Sequence, residues 1–169
     1  MRPGALRLGG SMVLCDGYRW KNFIGPREKR QPYAGVWYRY DSPGWKIFEF
    51  LELCEATGVK QCAVTLNVNE AVGDLVDLVD YAFGPASSVW GARRVSDGHP
   101  QPYKPFVVEI GNENTLNYTR PEATPCRDGC QHFGARWAQR ALAMDTRAQV
   151  YQLNLTFVVG FDVLQVSQY

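Results

Sequence analysis

Glu113 follows a short apolar run, Phe106-Val107-Val108-Glu109-Ile110, through Gly111-Asn112, and a carboxylate in that position can carry out proton-transfer chemistry. A run of β-branched and aromatic residues reads as a buried strand. α/β barrels place their catalytic groups just past the C-terminal ends of their strands, so Glu113 is a candidate general acid/base. The same residue type also caps a following helix or makes a surface ion pair, and Gly-Asn-Glu alone is too short to separate these uses.

Positioning such a group takes a scaffold. Residues 5–9 read as a first strand ending in Gly9-Gly10-Ser11, and residues 16–41, rich in Tyr, Trp, Arg, Gly and Pro, have neither helical nor alternating periodicity. Loops of that length in compact domains are functional or disordered, and the aromatics here favour function. Ile47, Phe50, Leu51 and Cys54 then recur at helical spacing, with Lys46, Glu49, Glu52 and Glu55 on the opposite face. Asp41-Ser42-Pro43 gives this helix an entry signal and Gly58 a stop. Residues 62–66 form a second strand followed by Asn67-Val68-Asn69, with Asn69 placed to cap the next helix. That helix turns Val72, Leu75, Val76 and Val79 inward and Asp74, Asp77 and Asp80 outward, and Gly84-Pro85 ends it. Residues 86–104 read as a second long loop leading into the strand before Glu113. Trp137, Ala141 and Met144 outline a further crossover helix, and residues 155–160 a last strand. Strands alternating with helices predict a parallel sheet of the α/β class. Its strand ends bring Ser11, Asn67, Asn69, Asn112, Glu113 and Asp162 to one rim, where Asn and Ser also serve simply to start helices or turns.

Composition narrows the partners. An apolar share of 46% with 21% charged residues is that of a globular chain, and 13% aromatic residues are enough for a core and for stacking platforms besides. With 18 basic and 17 acidic residues the formal charge is +1, so no long-range field favours nucleic acid or an anionic membrane. No stretch approaches the roughly 20 apolar residues of a membrane span, and Met1-Arg2-Pro3-Gly4 carries no apolar signal segment. The compartment stays open, and the acceptor patterns at Asn117-Tyr118-Thr119 and Asn154-Leu155-Thr156 matter only in a secreted chain. Of the five cysteines, Cys54 and Cys62 fall at core positions and are expected to be small buried thiols. Cys126, Cys130 and His132 form a C-x3-C-x-H cluster that offers three of the four ligands of a structural zinc; with no evident fourth ligand, free thiols or a local disulfide rank above the metal, and no metal or cofactor is expected.

Several motifs precede Gly111-Asn112-Glu113 in a fixed order: Gly17-Tyr18-Arg19-Trp20-Lys21, Ile24-Gly25-Pro26-Arg27-Glu28-Lys29-Arg30, Phe48-Glu49-Phe50-Leu51-Glu52-Leu53-Cys54-Glu55 and Asp97-Gly98-His99-Pro100-Gln101-Pro102-Tyr103. Together they resemble the catalytic domain of the α-L-arabinofuranosidases of glycoside hydrolase family 51, from about Leu6 to Glu113. Beyond Asn114 only a general helix-then-strand pattern continues. The resemblance implies a retaining glycosidase on a (β/α)8 TIM barrel, with this chain holding strands two to five. A whole barrel takes roughly 250 residues and the chain has 169, so residues 1–169 are expected to be a partial catalytic domain, truncated at both ends.

By the same resemblance Glu113 would protonate the departing glycosidic oxygen and then deprotonate water, and Asn112 would hydrogen-bond the sugar 2-hydroxyl. The partner would be an arabinose-containing oligo- or polysaccharide such as arabinoxylan or arabinan. Ser11 and Asn67 are further substrate-binding candidates on the rim; where the family commonly has Gly-Gly-Asn, Ser11 offers a shorter reach and no amide donor. Tyr18, Trp20, Trp37 and Trp90 either stack on pentose faces or pack, with Trp20 the binding candidate among them. Retention needs a second carboxylate about 5 Å from the first; in this clan it ends the seventh strand, which the chain does not reach, and Asp162, on a neighbouring strand, is not expected to replace it. The cluster Arg27-Glu28-Lys29-Arg30 is expected to anchor the long loop through ion pairs. Two other readings remain at this stage: a non-catalytic sugar-binding or scaffold remnant, and another activity of the clan such as a xylanase or glucanase. Four β/α units also leave two sheet edges and one face open, which predicts self-association.

Overall fold

The computed structural model describes residues 4–113 and 133–159. Its strands are β1 (Ala5–Leu8), β2 (Gln61–Leu66), β3 (Val107–Ile110) and β4 (Thr156–Val159), and its helices α1 (Ile47–Thr57), α2 (Val72–Phe83), α3 (Val89–Ser96) and α4 (Phe133–Gln149). All strand pairs are parallel and the spatial order is β1-β2-β3-β4, the order of the chain. Each strand is joined to the next through helix, so the fold is a partial α/β barrel.

The two faces of the sheet differ in kind. Alternation along the strands turns Leu8, Val64, Leu66, Val108 and Ile110 toward the helices, where all five are buried. The register sets Arg7 beside Ala63, Thr65 beside Glu109, and Glu109 beside Val158 on the opposite face. That face is small and polar, with Arg7, Thr156 and Val158 exposed, and β1 and β4 form the edges, as the strand count predicts. Among the described residues no helix is long and apolar enough to cross a membrane.

Helix α1 ends at Gly58, as its stop signal predicts, but it begins at Ile47 with Lys46 at its N-cap, several residues after the Asp41-Ser42-Pro43 signal, and its outer face is more buried than periodicity predicts. Lys46 and Glu49 are buried because the long loop folds over them. Glu49 accepts the backbone N–H of Lys46 at 2.9 Å, closing the first turn. It also meets the guanidinium of Arg30 at 2.9 Å and of Arg27 at 3.2 Å, while Lys46 Nζ reaches Asp41 at 2.7 Å. The basic cluster therefore does anchor the loop. Upstream, Trp20 donates its indole N–H to Asp74 O at 2.6 Å, and Lys21 Nζ bridges Asp74 and Asp77 at 2.6 and 2.5 Å. These contacts fix the loop to α2.

The expected loop at residues 86–104 contains helix α3. Its sequence lacks an apolar stripe, since Gly91, Arg93 and Arg94 interrupt the few hydrophobic positions, but capping and hydrogen bonding hold it. Ser88 Oγ accepts from Gly91 N at 3.0 Å. Arg94 is wholly buried and donates to the carbonyls of Tyr81, Gly84 and His99 at 2.8, 2.9 and 3.1 Å, satisfying groups that the end of α2 leaves open. At Gly91 a Cβ would sit 2.0 Å from Pro85 O and 2.6 Å from its carbonyl carbon. Gly91→Ala must therefore shift backbone, and it is expected to cost about 1–3 kcal/mol in a urea titration; an unchanged midpoint would mean that α3 does not pack this closely.

Cys54 and Cys62, expected as separate thiols, form a disulfide with a Cα–Cα distance of 6.5 Å. The turn from α1 into β2 brings the last turn of the helix against the start of the strand, a proximity that eight residues of sequence separation do not reveal. Cys15 is a free, buried thiol, and burial pushes its pKa up to about 11.

Candidate functional site

The rim at the C-terminal ends of the strands carries the candidate residues Ser11, Asn112 and Glu113. After β3 the chain turns at Gly111, whose N–H still donates to Leu66 O at 2.9 Å, with φ at 81°. Glu113 follows with φ at 47°, a left-handed conformation that a residue with a Cβ adopts at some cost and that is concentrated at functional sites. It leaves Glu113 exposed while Asn112 is buried. The Asn112 amide joins the two sides: its Oδ1 accepts from Arg7 Nη2 at 2.9 Å and its Nδ2 donates to Glu113 Oε2 at 3.3 Å.

Beneath this pair the polar face of the sheet is filled by one network. Arg7 Nε donates to Glu109 Oε2 at 2.6 Å, and Thr65 Oγ1 donates to the same oxygen at 2.5 Å. The three side chains come from adjacent parallel strands. Gly9 makes room for them, because a Cβ there would lie 2.1 Å from Thr65 Oγ1 and 2.8 Å from Arg7 Cζ. Arg7, Thr65 and Glu109 are not prominent in the sequence, yet a signal exists: opposite charges within two otherwise apolar strands, at positions that alternation puts on one face.

Other candidates are placed differently. Ser11 is half-buried at the start of a short 3-10 turn after β1, on the rim. Asn67, expected to contact substrate, is 1% exposed and its amide is fully engaged. Its Nδ2 donates to Cys15 O at 2.9 Å and Tyr18 O at 3.3 Å, and its Oδ1 accepts from Asn69 N at 2.8 Å; it organises the loop after β1. Asn69 does not cap α2, whose N-cap residue is Ala71, with no side-chain cap; the Asn69 Oδ1 accepts from Arg136 Nη1 at 3.0 Å. Trp20, the stacking candidate, has no exposed surface and packs against Phe48, Tyr81 and Trp90, so it belongs to the core between loop and helices. Tyr18 is buried too, and Lys21 Nζ lies 4.9 Å from the centre of the half-buried Trp90 ring. Of these four aromatics Trp37 presents a face to solvent, at 57% exposure. Asp162, Asn117, Cys126, Cys130 and His132 lie outside the described residues. Among the described residues no group of three or more His, Cys, Asp or Glu could hold a metal ion.

Glu70, just after β2, is a second buried carboxyl that the sequence does not single out. It is 1% exposed; Oε1 accepts from Trp20 N at 3.4 Å, and Oε2 has no hydrogen-bond partner. The arginines around it are engaged elsewhere: Arg140 donates to the Glu70 backbone carbonyl at 3.1 and 2.9 Å, and Arg19 to Asn69 O at 2.7 Å. Burial outweighs their charge and pushes the carboxyl pKa up to about 8. A small, partly open pocket of about 60 Å³ lined by Leu51, Cys54, Tyr103 and Phe106 lies at the other end of the sheet, away from Asn112 and Glu113.

Comparison with known proteins adds a family to this geometry. The profile of the family described as "Alpha-L-arabinofuranosidase 1 domain" matches residues 1–153. An extracellular exo-α-L-arabinofuranosidase of Streptomyces chartreusis is 33% identical over 148 residues, which cover 69% of this chain and 18% of that protein. α-L-Arabinofuranosidase 2 of Arabidopsis thaliana is 31% identical, covering 68% of this chain and 20% of its own length. The chain thus spans about a fifth of these curated relatives. Among solved structures, the thermostable GH51 α-L-arabinofuranosidase of Thermotoga petrophila superposes with a TM-score of 0.71 at 22% identity, over 94% of this chain and 31% of that one. The arabinose complex of the Thermotoga maritima enzyme gives 0.69 at 21% identity, over 92% and 30%. At these identities the superpositions speak for the fold.

Proposed function

The chain belongs to the α-L-arabinofuranosidase 1 domain family, and from that premise we propose that the protein is a retaining glycoside hydrolase that removes terminal α-L-arabinofuranosyl residues from polysaccharides such as arabinoxylan or arabinan, with Glu113 as general acid/base. The observation that carries the reading is the Asn112–Glu113 pair: an exposed carboxylate at the C-terminal end of a parallel strand, with an amide donor 3.3 Å from its Oε2 inside the matched residues. Barrels place catalytic groups on that rim.

The proposed reaction assigns each group a step. The Glu113 carboxylic acid donates its proton to the glycosidic oxygen as the bond to the anomeric carbon breaks, which requires it to be protonated when substrate binds. The amide of Asn112 donates to the sugar 2-hydroxyl, a bond that strengthens as charge develops on the ring. A second carboxylate, about 5 Å away in retaining enzymes, attacks the anomeric carbon. Glu109 does not fit that part, since Arg7 and Thr65 already hold its Oε2. Glu113, now a carboxylate, takes a proton from a water whose oxygen attacks the anomeric carbon; the ester bond to the second carboxylate breaks, the sugar leaves as the free hemiacetal, and both carboxyl groups return to their starting states.

A panel of 4-nitrophenyl glycosides tests the reading. Release of nitrophenol from the α-L-arabinofuranoside, with the β-xylopyranoside and β-glucopyranoside left intact, is the expected result. Preference for a pyranoside would reassign the protein to another glycosidase activity. Arabinose binding without turnover of any glycoside would instead make it a sugar-binding protein.

A further inference from the structure

We infer that Glu109 is a positioning residue for the reaction proposed above, acting through Arg7 to fix which end of the Asn112 amide faces the substrate. An asparagine amide presents an acceptor on one side and a donor on the other, and only its neighbours decide which way it points. Arg7 settles the matter, because a guanidinium offers donors alone. With Arg7 Nη2 at 2.9 Å, the inner atom of Asn112 must be Oδ1, and Nδ2 is turned to the rim and Glu113.

Arg7 needs an anchor to do this. Its side chain is 44% exposed on an edge strand and by itself would sample many rotamers. Glu109 supplies the anchor from the centre of the sheet. Its carboxylate is buried, accepts Arg7 Nε at 2.6 Å, and is itself held by the buried Thr65 hydroxyl at 2.5 Å. The missing side chain at Gly9 keeps the space that the guanidinium and the hydroxyl occupy. Four residues from three strands and the turn after the third thus form one chain, Thr65 to Glu109 to Arg7 to Asn112, that ends in a single outward-facing N–H2 group. Such a donor recognises a hydroxyl oxygen on the ligand. The proposal rests on the hydrolase reading for its substrate, but the orientation of Asn112 is a property of the protein alone.

The test uses both levels. For an aryl α-L-arabinofuranoside and its 2-deoxy analogue, the ratio of kcat/KM measures what the donor contributes. Glu109→Gln is expected to lower that ratio about tenfold, the scale of one hydrogen bond to a polar group, and Thr65→Val by less. A merely structural role would lower both substrates together and leave the ratio unchanged, which would overturn the inference. If Glu109→Gln does not fold, Thr65→Val, which keeps the shape, decides by the same ratio. If the wild-type protein turns over neither substrate, the hydrolase reading fails on its own, and the side-chain amide resonances of Asn112 decide: a shift and faster exchange in Glu109→Gln or Thr65→Val support the relay, and resonances identical to wild type refute it.

Discussion

Glu113→Gln lowers turnover of α-L-arabinofuranosides by about 10²–10⁴-fold, the usual contribution of a positioned general acid/base, and the loss depends on the leaving group. Nitrophenolate departs without a proton, so with the nitrophenyl substrate the first step survives and the second, which needs a base to activate water, becomes limiting. kcat and KM then fall together. A sugar alkoxide cannot leave unprotonated, and with an arabino-oligosaccharide the first step itself collapses. The amide of Gln has the size of the carboxyl and still accepts from Asn112 Nδ2, whose bond to Glu113 is 3.3 Å, so the thermal melt is expected to stay near that of wild type. Equal losses on both substrates would point to a binding defect and away from proton transfer.

Glu70→Gln has the second largest expected effect, and it concerns stability. The folded carboxyl has its pKa raised from 4.5 to about 8, chiefly by burial. A raised carboxyl pKa means that folding favours the protonated form. Its contribution is complete below about pH 4.5 and is lost as pH rises through about 8. Arg19 and Lys21 oppose the shift and Asp74 adds to it, while Arg140, itself shifted down by burial, donates to the backbone carbonyl of Glu70 rather than to its carboxyl. The wild-type protein should therefore lose stability between pH 5 and 9, by a total on the order of 4 kcal/mol. Gln carries no charge to desolvate. The variant should be the more stable form at pH 9 and differ little at pH 5, which urea titrations across this range will read. A parallel loss of stability in both proteins would show that Glu70 ionises in the fold at little cost.

Much of the scaffold is legible in the chain because its elements obey simple periods. The spacing of Ile47, Phe50, Leu51 and Cys54 gives α1, and the alternating runs around Val64 and Val108 give β2 and β3, since those residues need only meet an apolar layer. The reading weakens where burial is created by distant chain. Lys46 and Glu49 look solvated by their helical phase, and only the return of Arg27, Arg30 and Asp41 over α1 buries them. Asn67 looks like a ligand contact on its strand end, yet the carbonyls of Cys15 and Tyr18 claim its amide. Trp20 has the chemistry of a sugar platform, and its indole N–H finds Asp74 O instead. Helix α3 shows no stripe because its stability lies in Ser88, Arg94 and the close approach of Gly91 to Pro85. At the candidate site, Asn112 and Glu113 are visible as a motif after a strand. The Arg7–Glu109–Thr65 network beneath them depends on strand register, which the sequence encodes only jointly through three separate segments.

The most direct test of the central claim, that Glu113 passes protons at the mouth of this sheet, is chemical rescue of Glu113→Ala by azide on the nitrophenyl α-L-arabinofuranoside. Azide needs no base to attack a glycosyl-enzyme. Turnover should be restored in proportion to azide concentration, and the product should be an arabinofuranosyl azide of retained α configuration. Full activity of the variant without azide, or no azide adduct at any concentration, would contradict the assignment.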